Sequence, residues 1–148
     1  MAIGSSAVCN SFKQEVLVGT HNFTASSGDT FNLALYTNSA TIDATTTAYS
    51  VGLGGQVTGT GYTAGGKPLT SVTPTLPGSG TVAICDFDPS VSWAGATITS
   101  RGCLIYNTSK SDKAVCVLNF GGDKTATAGT FTIQFPAATA ADAIIQLA

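Results

Sequence analysis

The stretch that decides the fold is ATITSRGCLIYNTSKSDKAVCVLNF, residues 96–120. Two apolar runs flank the polar loop NTSKSD, residues 107–112, and Asn, Ser and Asp favour turns because their short side chains hydrogen-bond the nearby backbone. The pattern therefore predicts an antiparallel hairpin closed by this loop. Counting inward from the loop gives three predicted pairs: Tyr106 with Lys113, Leu104 with Val115, and Cys103 with Cys116.

Both faces of the predicted hairpin are apolar. Successive side chains of a strand point to opposite faces of its sheet, and a hairpin with one wet face would alternate apolar and polar residues. We therefore expect this hairpin to be covered on both sides, at the centre of a β-rich core. The predicted faces are Ile98, Gly102, Leu104, Val115 and Val117 on one side, and Cys103, Ile105, Cys116, Leu118 and Phe120 on the other.

Further short strands are predicted on both sides of the hairpin, at residues 29–37, 69–76, 81–87, 130–135 and 143–147. Alternating apolar residues indicate one buried face for the first of these, and prolines restrict the second to a sheet edge. Turns are predicted around Trp93, just before the hairpin, and at residues 121–124, just after it. Seven or eight short strands favour a mainly β chain with a single-domain antiparallel β-sandwich, jelly-roll-like, over residues 11–148.

One short helix is predicted over residues 11–18, near the N-terminus. Ser11 followed by Gln14 matches a capping box, and Gly19 is placed to end the helix. A helix of this length needs tertiary packing for its stability. The side chains that we expect to pack against the sheet are Phe12, Val16 and Leu17.

The composition is poor in charge. Charged residues make up 9% of the 148 residues, against roughly 25% in typical soluble proteins. Small hydroxyl residues take their place, which suits either broad neutral contacts with neighbours or a secreted β protein. Six basic residues without a cluster argue against a nucleic-acid partner. The chain shows no apolar run of membrane-spanning length and no secretory signal, so we expect neither a membrane location nor export.

The four cysteines have no CxxC spacing, and the chain contains one histidine, which disfavours a zinc site. If Cys103 and Cys116 are cross-strand neighbours, as predicted, a disulfide between them is one alternative. The preferred interpretation is that all four are buried free thiols in a reducing cytosol.

The motif nearest to known chemistry is GYTAGGK, residues 61–67, which matches the GxxxxGK of a phosphate-binding loop. A phosphate loop continues with Ser or Thr and then a helix, whereas Pro68 and a predicted strand follow here. We therefore interpret the motif as a glycine-rich connection. Replacing Lys67 with alanine is predicted to change the stability by no more than about 0.5 kcal/mol.

Other candidate catalytic and metal-binding residues have simpler interpretations. His21 lacks a neighbouring nucleophile motif and is interpreted as a loop residue near a helix end, so its replacement by alanine is also predicted to be neutral. Asp86 and Asp88 precede Pro89 and are interpreted as turn residues rather than calcium ligands. The chain is predicted not to be an enzyme and to hold no cofactor or metal.

Six segments of the chain carry a resemblance to known proteins: SFKQEVLVGTHNF (11–23), SGDTFNLALYTNSATIDATTTAY (27–49), GTGYTAGGKPLT (59–70), SWAGATITSRGCLIYN (92–107), KAVCVLNFGGDKT (113–125) and GTFTIQFP (129–136). Over roughly residues 11–147 the chain resembles small β-rich virion structural proteins of tailed bacteriophages. The resemblance rests on glycines and core strands, so it implies a kind of protein and no catalytic residues.

The role that this resemblance implies is that of a capsid cement, or head-decoration, protein. Such a protein is made in the host cytoplasm and bridges major capsid protein subunits on the outer surface of the virion, here as a homo-oligomer that we expect to be a trimer. An alternative is a tail or baseplate component that contacts glycans, for which Tyr49, Tyr62 and Trp93 are the candidate exposed aromatics.

Residues 1–10 are mostly small or polar and are predicted to form an N-terminal arm. Ten extended residues span roughly 30 Å, enough to reach a neighbouring subunit. Ile3 and Val8 are the large apolar residues of the arm after Met1. They are therefore the predicted contacts with the capsid or a neighbour.

Overall fold

The computed structural model describes residues 3–78 and 80–148. In chain order the elements are β1 (Ala7–Val8), α1 (Asn10–Leu17), β2 (Phe31–Tyr36), β3 (Lys67–Leu69), β4 (Ser71–Thr75), β5 (Ala83–Phe87), β6 (Ser90–Asn107), β7 (Lys113–Gln134) and β8 (Ile145–Leu147), with short 3₁₀ turns at Val51–Leu53 and Thr108–Lys110.

Strands hold 46% of the residues and helices 10%, so the chain is mainly β, as predicted. The described residues form two antiparallel sheets, one with the strand order β1-β7-β6-β2-β3 and one with the order β4-β5-β8. Phe31 of the first sheet and Phe87 of the second meet in one core, with ring centroids 5.7 Å apart. The two-sheet antiparallel fold is therefore confirmed, while the jelly-roll connection stays a prediction.

The central hairpin is longer than the sequence predicts, because both predicted turns beside it lie inside strands. Trp93 is buried within β6, where it pairs with Phe131 of β7. Residues 121–124 lie within β7 at a large bulge, where Ser100 pairs with Lys124 while Gly102 pairs with Asn119. Glycine in a strand marks a bulge as readily as a turn, and the two cannot be distinguished from local sequence.

The predicted register of the hairpin is wrong near its loop. The loop is one residue shorter than predicted, since Asn107 pairs with Lys113, and a bulge at Val115 adds a second shift. Leu104 consequently pairs with Val117 instead of Val115. Beyond the bulge the shift is two residues, which keeps Val117 and Leu118 on their predicted faces because the side-chain period of a strand is two. Between the bulge and the loop the shift is one residue, so Lys113 and Ala114 lie on the opposite faces from those predicted. The observed pairs next to the loop are Tyr106 with Ala114, Ile105 with Cys116, Leu104 with Val117, and Cys103 with Leu118.

Strand β2 is buried on both faces, whereas the sequence predicts one. Phe31 stacks on Phe23 on the face toward the smaller sheet, with ring centroids 4.3 Å apart. The long loop between β2 and β3 covers the other face, where Tyr49 stacks on Tyr106 of the neighbouring strand β6 at 4.4 Å. The loop has no apolar periodicity, so the sequence pattern does not predict that it covers this face of the sheet.

The predicted proline-containing strand at residues 69–76 is two strands in different sheets. Strand β3 contains Pro68 and lies at the edge of the larger sheet, while β4 contains Pro74 and lies at the edge of the smaller one. Edge positions tolerate proline because its missing N–H faces away from the ladder. The prediction of an edge strand is therefore confirmed for β4, whereas β3 shares only Leu69 with the predicted strand.

The helix is confirmed, but its predicted capping box is wrong. Cys9 occupies the N-cap position, and no side-chain capping bond forms there among the described residues. Gly19 ends the helix as predicted, since its N–H bonds the Val16 carbonyl at 3.1 Å and the Thr20 N–H bonds the Glu15 carbonyl at 2.9 Å. These two bonds form a Schellman motif with Gly19 in the left-handed conformation.

The predicted N-terminal arm lies against the fold in the part that the structure describes, residues 3–10. The Ile3 side chain is 4% exposed within the core, and its Cδ1 lies close to Gly102. Val8 pairs with Cys116 at the edge of the larger sheet. The arm is therefore part of the domain, and the contact of Ile3 and Val8 with a neighbour stays a prediction. Met1 and Ala2 lie outside the described residues.

Candidate functional site

The glycine-rich motif forms a close backbone crossing. A Cβ at Gly66 would collide with the carbonyl of Leu33, so only glycine lets the loop pass the strand. Lys67 opens β3 and donates a 2.6 Å hydrogen bond to the Ser92 carbonyl, while its ammonium lies 5.8 Å from the Trp93 ring. A strand follows the motif and its lysine is engaged, which agrees with a glycine-rich connection rather than a phosphate loop.

The aromatic residues proposed for glycan contact do not form an exposed cluster. Trp93 is 1% exposed and packs edge-on against Phe131. The Tyr62 hydroxyl accepts the Leu35 N–H at 2.8 Å, and Tyr49 lies in its stack with Tyr106. The prediction of solvent-facing aromatics at loop tips is therefore wrong, because these rings fasten the long loop to the sheet.

His21 stands at the centre of a polar cluster that connects α1 to the end of the hairpin. Its ring nitrogen Nε2 lies 2.9 Å from Glu15 Oε2, and Nδ1 lies 2.9 Å from the Asn107 side-chain nitrogen. The same Asn107 nitrogen donates to Asp29 at 2.8 Å. Lys113 donates to the second Glu15 oxygen at 2.5 Å. We call these five residues the His21 cluster.

The carboxylates of the His21 cluster are held in the charged form. Burial alone would raise the pKa of Glu15, but hydrogen bonds from Lys113 and His21 outweigh it and keep the pKa below its usual value. Burial opposes ionisation of Asp29 in the same way, and the bonds from Asn107 and the Asn22 N–H lower its pKa overall. Hydrogen bonds to the charged form produce this direction of shift.

The His21 side chain has no solvent-exposed surface, and its two ring nitrogens lie against Glu15 and Asn107. The interpretation of His21 as a loop residue after a helix end agrees with its place in the chain. The expectation that it is dispensable does not agree with its contacts, since both ring nitrogens have partners. The cluster joins segments far apart in sequence, and sequence spacing carries no signal for it.

Asp86 lies inside β5 rather than in a turn, which corrects the sequence prediction. Its Oδ1 accepts the Phe87 N–H at 2.8 Å, while Oδ2 is buried without a partner among the described residues. Burial raises the pKa of Asp86, and the hydrogen bond from the Phe87 N–H offsets only part of that rise. An unpaired buried carboxylate costs stability in its charged form.

The four cysteines are buried free thiols, as the sequence predicts. Burial raises the pKa of Cys85 to about 12 and that of Cys9 to about 11. Burial also raises the pKa values of Cys103 and Cys116. Thiols held protonated are poor nucleophiles and poor metal ligands. The described residues contain no group of three or more His, Cys, Asp or Glu that could hold a metal ion.

A groove of about 860 Å³ lies between α1 and the smaller sheet, and we call it the helix groove. Its floor and walls are mainly apolar and come from α1, the loop after it, and strands β4, β5 and β8. The apolar lining residues are Val8, Phe12, Val16, Leu17, Phe23, Pro74, Ala83, Ile84, Cys85, Ile145 and Leu147.

The rim of the helix groove exposes large apolar side chains. Leu17 is 86% exposed and Leu147 is 58% exposed, and both line the groove. Val18, next to Leu17, is also exposed. Leu17 was predicted to pack against the sheet, so that prediction is wrong. The last turn of α1 instead carries its leucine outward, which leaves an apolar surface in water.

The helix groove is also bordered by an open sheet edge and a cation. All three residues of β8 line it, and β8 pairs with β5 alone among the described strands. Lys13 is the lysine in its lining, and no aspartate or glutamate lines it within the described part of the chain. The arrangement offers apolar contact, free backbone groups and one positive charge. Exposed apolar surface of this kind is typical of binding sites.

Comparisons with protein-family models, with curated proteins and with solved structures found no match to this chain. In residues 3–78 and 80–148, no helix has both the length and the apolar character needed to cross a membrane.

Proposed function

We propose that this protein is a structural component of a tailed-phage virion that binds the outer surface of the head as a capsid cement protein. Its partner is the major capsid protein, and its role is to bridge neighbouring capsid subunits. The resemblance of six segments to small phage virion proteins motivates the proposal. The observation that carries it in the structure is the helix groove with its exposed apolar rim.

The chemistry of the surface supports a role in protein binding. Only 9% of the residues are charged, so few charged groups must be desolvated when a broad surface is buried. Exposed leucines beside an apolar groove are unusual for a monomer and typical of interaction sites. The His21 cluster and the glycine-rich motif, by contrast, have their polar groups occupied by the fold itself.

The proposed assembly is a trimer at local threefold positions of the head. Closed symmetric oligomers are the common form of soluble homo-oligomers, and several weak sites on one oligomer raise the total affinity without new contacts. The trimer is tested by the mass of the purified protein in solution. A monomer at micromolar concentration would contradict this part of the proposal.

The test of the function is binding to purified particles. We expect the intact protein to co-sediment with undecorated heads and to reach hundreds of copies per particle. Heads carrying the protein should withstand heating or low ionic strength better than bare heads. If the protein instead co-purifies with tails at a few copies per particle, the cement role fails and the tail or baseplate role replaces it.

A further inference from the structure

We infer that the helix groove takes an extended apolar segment of the major capsid protein that carries an acidic side chain and pairs with the free edge of β8. This inference rests on the proposed function and names the surface and the kind of segment that carry it. It follows from the shape of the groove, the open strand beside it and the charge of its lining.

The shape of the helix groove fits an extended segment. The groove is about 860 Å³ and has its walls on two different elements, the helix on one side and the smaller sheet on the other. Leu17 and Leu147 stand on its rim, 86% and 58% exposed. A partner segment lying between these walls would remove both leucines from water. Burial of apolar surface stabilises a complex by roughly 25 cal/mol for each square ångström removed from water.

The open edge of β8 supplies backbone partners for such a segment. Strand β8 ends the β4-β5-β8 sheet, and its second edge has no strand partner in the described part of the chain. Strand addition to an exposed edge gives affinity through main-chain hydrogen bonds and specificity through pockets for alternate side chains. All three residues of β8 line the helix groove, so side chains of a segment paired with β8 can reach its apolar lining.

The charge of the lining selects an acidic side chain on the partner. Lys13 lines the groove, and its ammonium contacts only the neutral Asn10 side chain, at 3.3 Å, among the polar contacts of the described residues. Because no aspartate or glutamate among those residues lines the groove, Lys13 can pair with a carboxylate that the partner brings. Charge complementarity of this kind orients a partner and excludes basic competitors.

The experiment compares two aspartate substitutions at exposed apolar residues in a head-binding assay with the full chain. Leu17→Asp places a charge on the groove rim, and Val51→Asp places one on a 77% exposed residue outside the groove. Both positions are exposed, so both variants should keep the thermal midpoint of the natural protein. We expect Leu17→Asp to weaken head binding by about tenfold or more, and Val51→Asp to change it by less than about twofold.

A charge-matched pair tests the acidic partner. Lys13→Glu and Lys124→Glu change the net charge equally, and Lys124 borders a different, 600 Å³ groove beside β7. We expect only Lys13→Glu to weaken binding, and its effect should shrink at high salt. A photo-crosslinking residue in place of Leu147 should then capture an apolar capsid segment that contains Asp or Glu.

The results distinguish failure of the groove inference from failure of the proposed cement function. If the natural protein binds heads and the Leu17 and Lys13 variants bind equally well, the inference fails and the cement role stands. A loss confined to Lys124→Glu moves the interface to the groove beside β7 and also overturns the inference. Crosslinking to a second copy of this chain makes the helix groove a self-interface. Failure of the natural protein to bind heads removes both proposals.

Discussion

The side-chain amide of Asn107 donates to Nδ1 of His21 at 2.9 Å and to the carboxylate of Asp29 at 2.8 Å. An amide nitrogen is a donor only, so Nδ1 of the histidine is the acceptor and Nε2 carries the proton that faces Glu15. Residues 86 positions apart are thereby joined by one group at the end of the hairpin. The N-terminal helix and the hairpin are held together through this histidine.

Replacing His21 with alanine should destabilise the protein by about 1–3 kcal/mol, because Asn107 and Glu15 each lose a buried partner. The measurement is the free energy of unfolding by urea at pH 7. Lys67→Ala is the comparison, since replacing this exposed lysine should change the stability by no more than about 0.5 kcal/mol. Equal, small effects for both variants would show that the histidine contacts contribute nothing.

Acid should weaken the link between helix and hairpin through Glu15. Because the folded-state pKa of this carboxyl lies below its ordinary value of 4.5, its stabilisation is present above that pH and is lost as the pH falls through the folded-state pKa. Glu15→Gln should therefore lower the thermal midpoint at pH 7, and the difference from the natural protein should shrink toward pH 3. A constant difference across this range would contradict the assignment.

Asp86 should have the opposite dependence on pH. A raised pKa means that the folded state holds the proton more tightly than the unfolded chain, so stability falls as the pH rises from the ordinary pKa of 3.8 through the folded-state pKa. Asp86→Asn removes the buried charge and can still accept the Phe87 N–H. We expect its thermal midpoint to exceed that of the natural protein at pH 7 and to approach it at pH 3.

Leu104→Ala should cost about 2–5 kcal/mol, because Leu104 is fully buried at the centre of the hairpin and the substitution leaves a cavity. Urea unfolding measures the loss. Val51→Ala, at an exposed residue, should change the stability by less than about 0.5 kcal/mol. A cost below 0.5 kcal/mol for Leu104→Ala as well would show that the hairpin does not form the core.

Gly66→Ala should prevent folding or distort β2, while Gly19→Ala should cost only about 1 kcal/mol. Both glycines have positive φ, at 75° and 72°, so alanine is strained at either position. Only at Gly66 would the added Cβ also collide with the Leu33 carbonyl, since Gly19 has open space around it. The yield of soluble protein and its thermal midpoint distinguish the two variants.

The sequence by itself determined the elements whose signals are local. Turn residues flanking apolar runs predicted the hairpin. The side-chain period of two kept Val117 and Leu118 on their predicted faces despite a wrong register, because the shift there is two residues. Gly19 predicted the end of the helix because only glycine adopts the left-handed conformation there without strain. Prolines predicted one edge strand over residues 69–76 because they lack the N–H that a central strand must donate, and β4, which contains Pro74, lies at a sheet edge.

Only the tertiary structure decided which residues meet across long stretches of chain. Lys113 bonds Glu15 across 98 positions, and Ile3 packs beside Gly102, and neither contact has a spacing that a sequence could reveal. The bulges that lengthen the hairpin depend on both strands at once. The helix groove exists because α1 and the smaller sheet, which are far apart in sequence, pack with a space between them. Such features arise from the packing of separate elements, and local preferences carry no information about them.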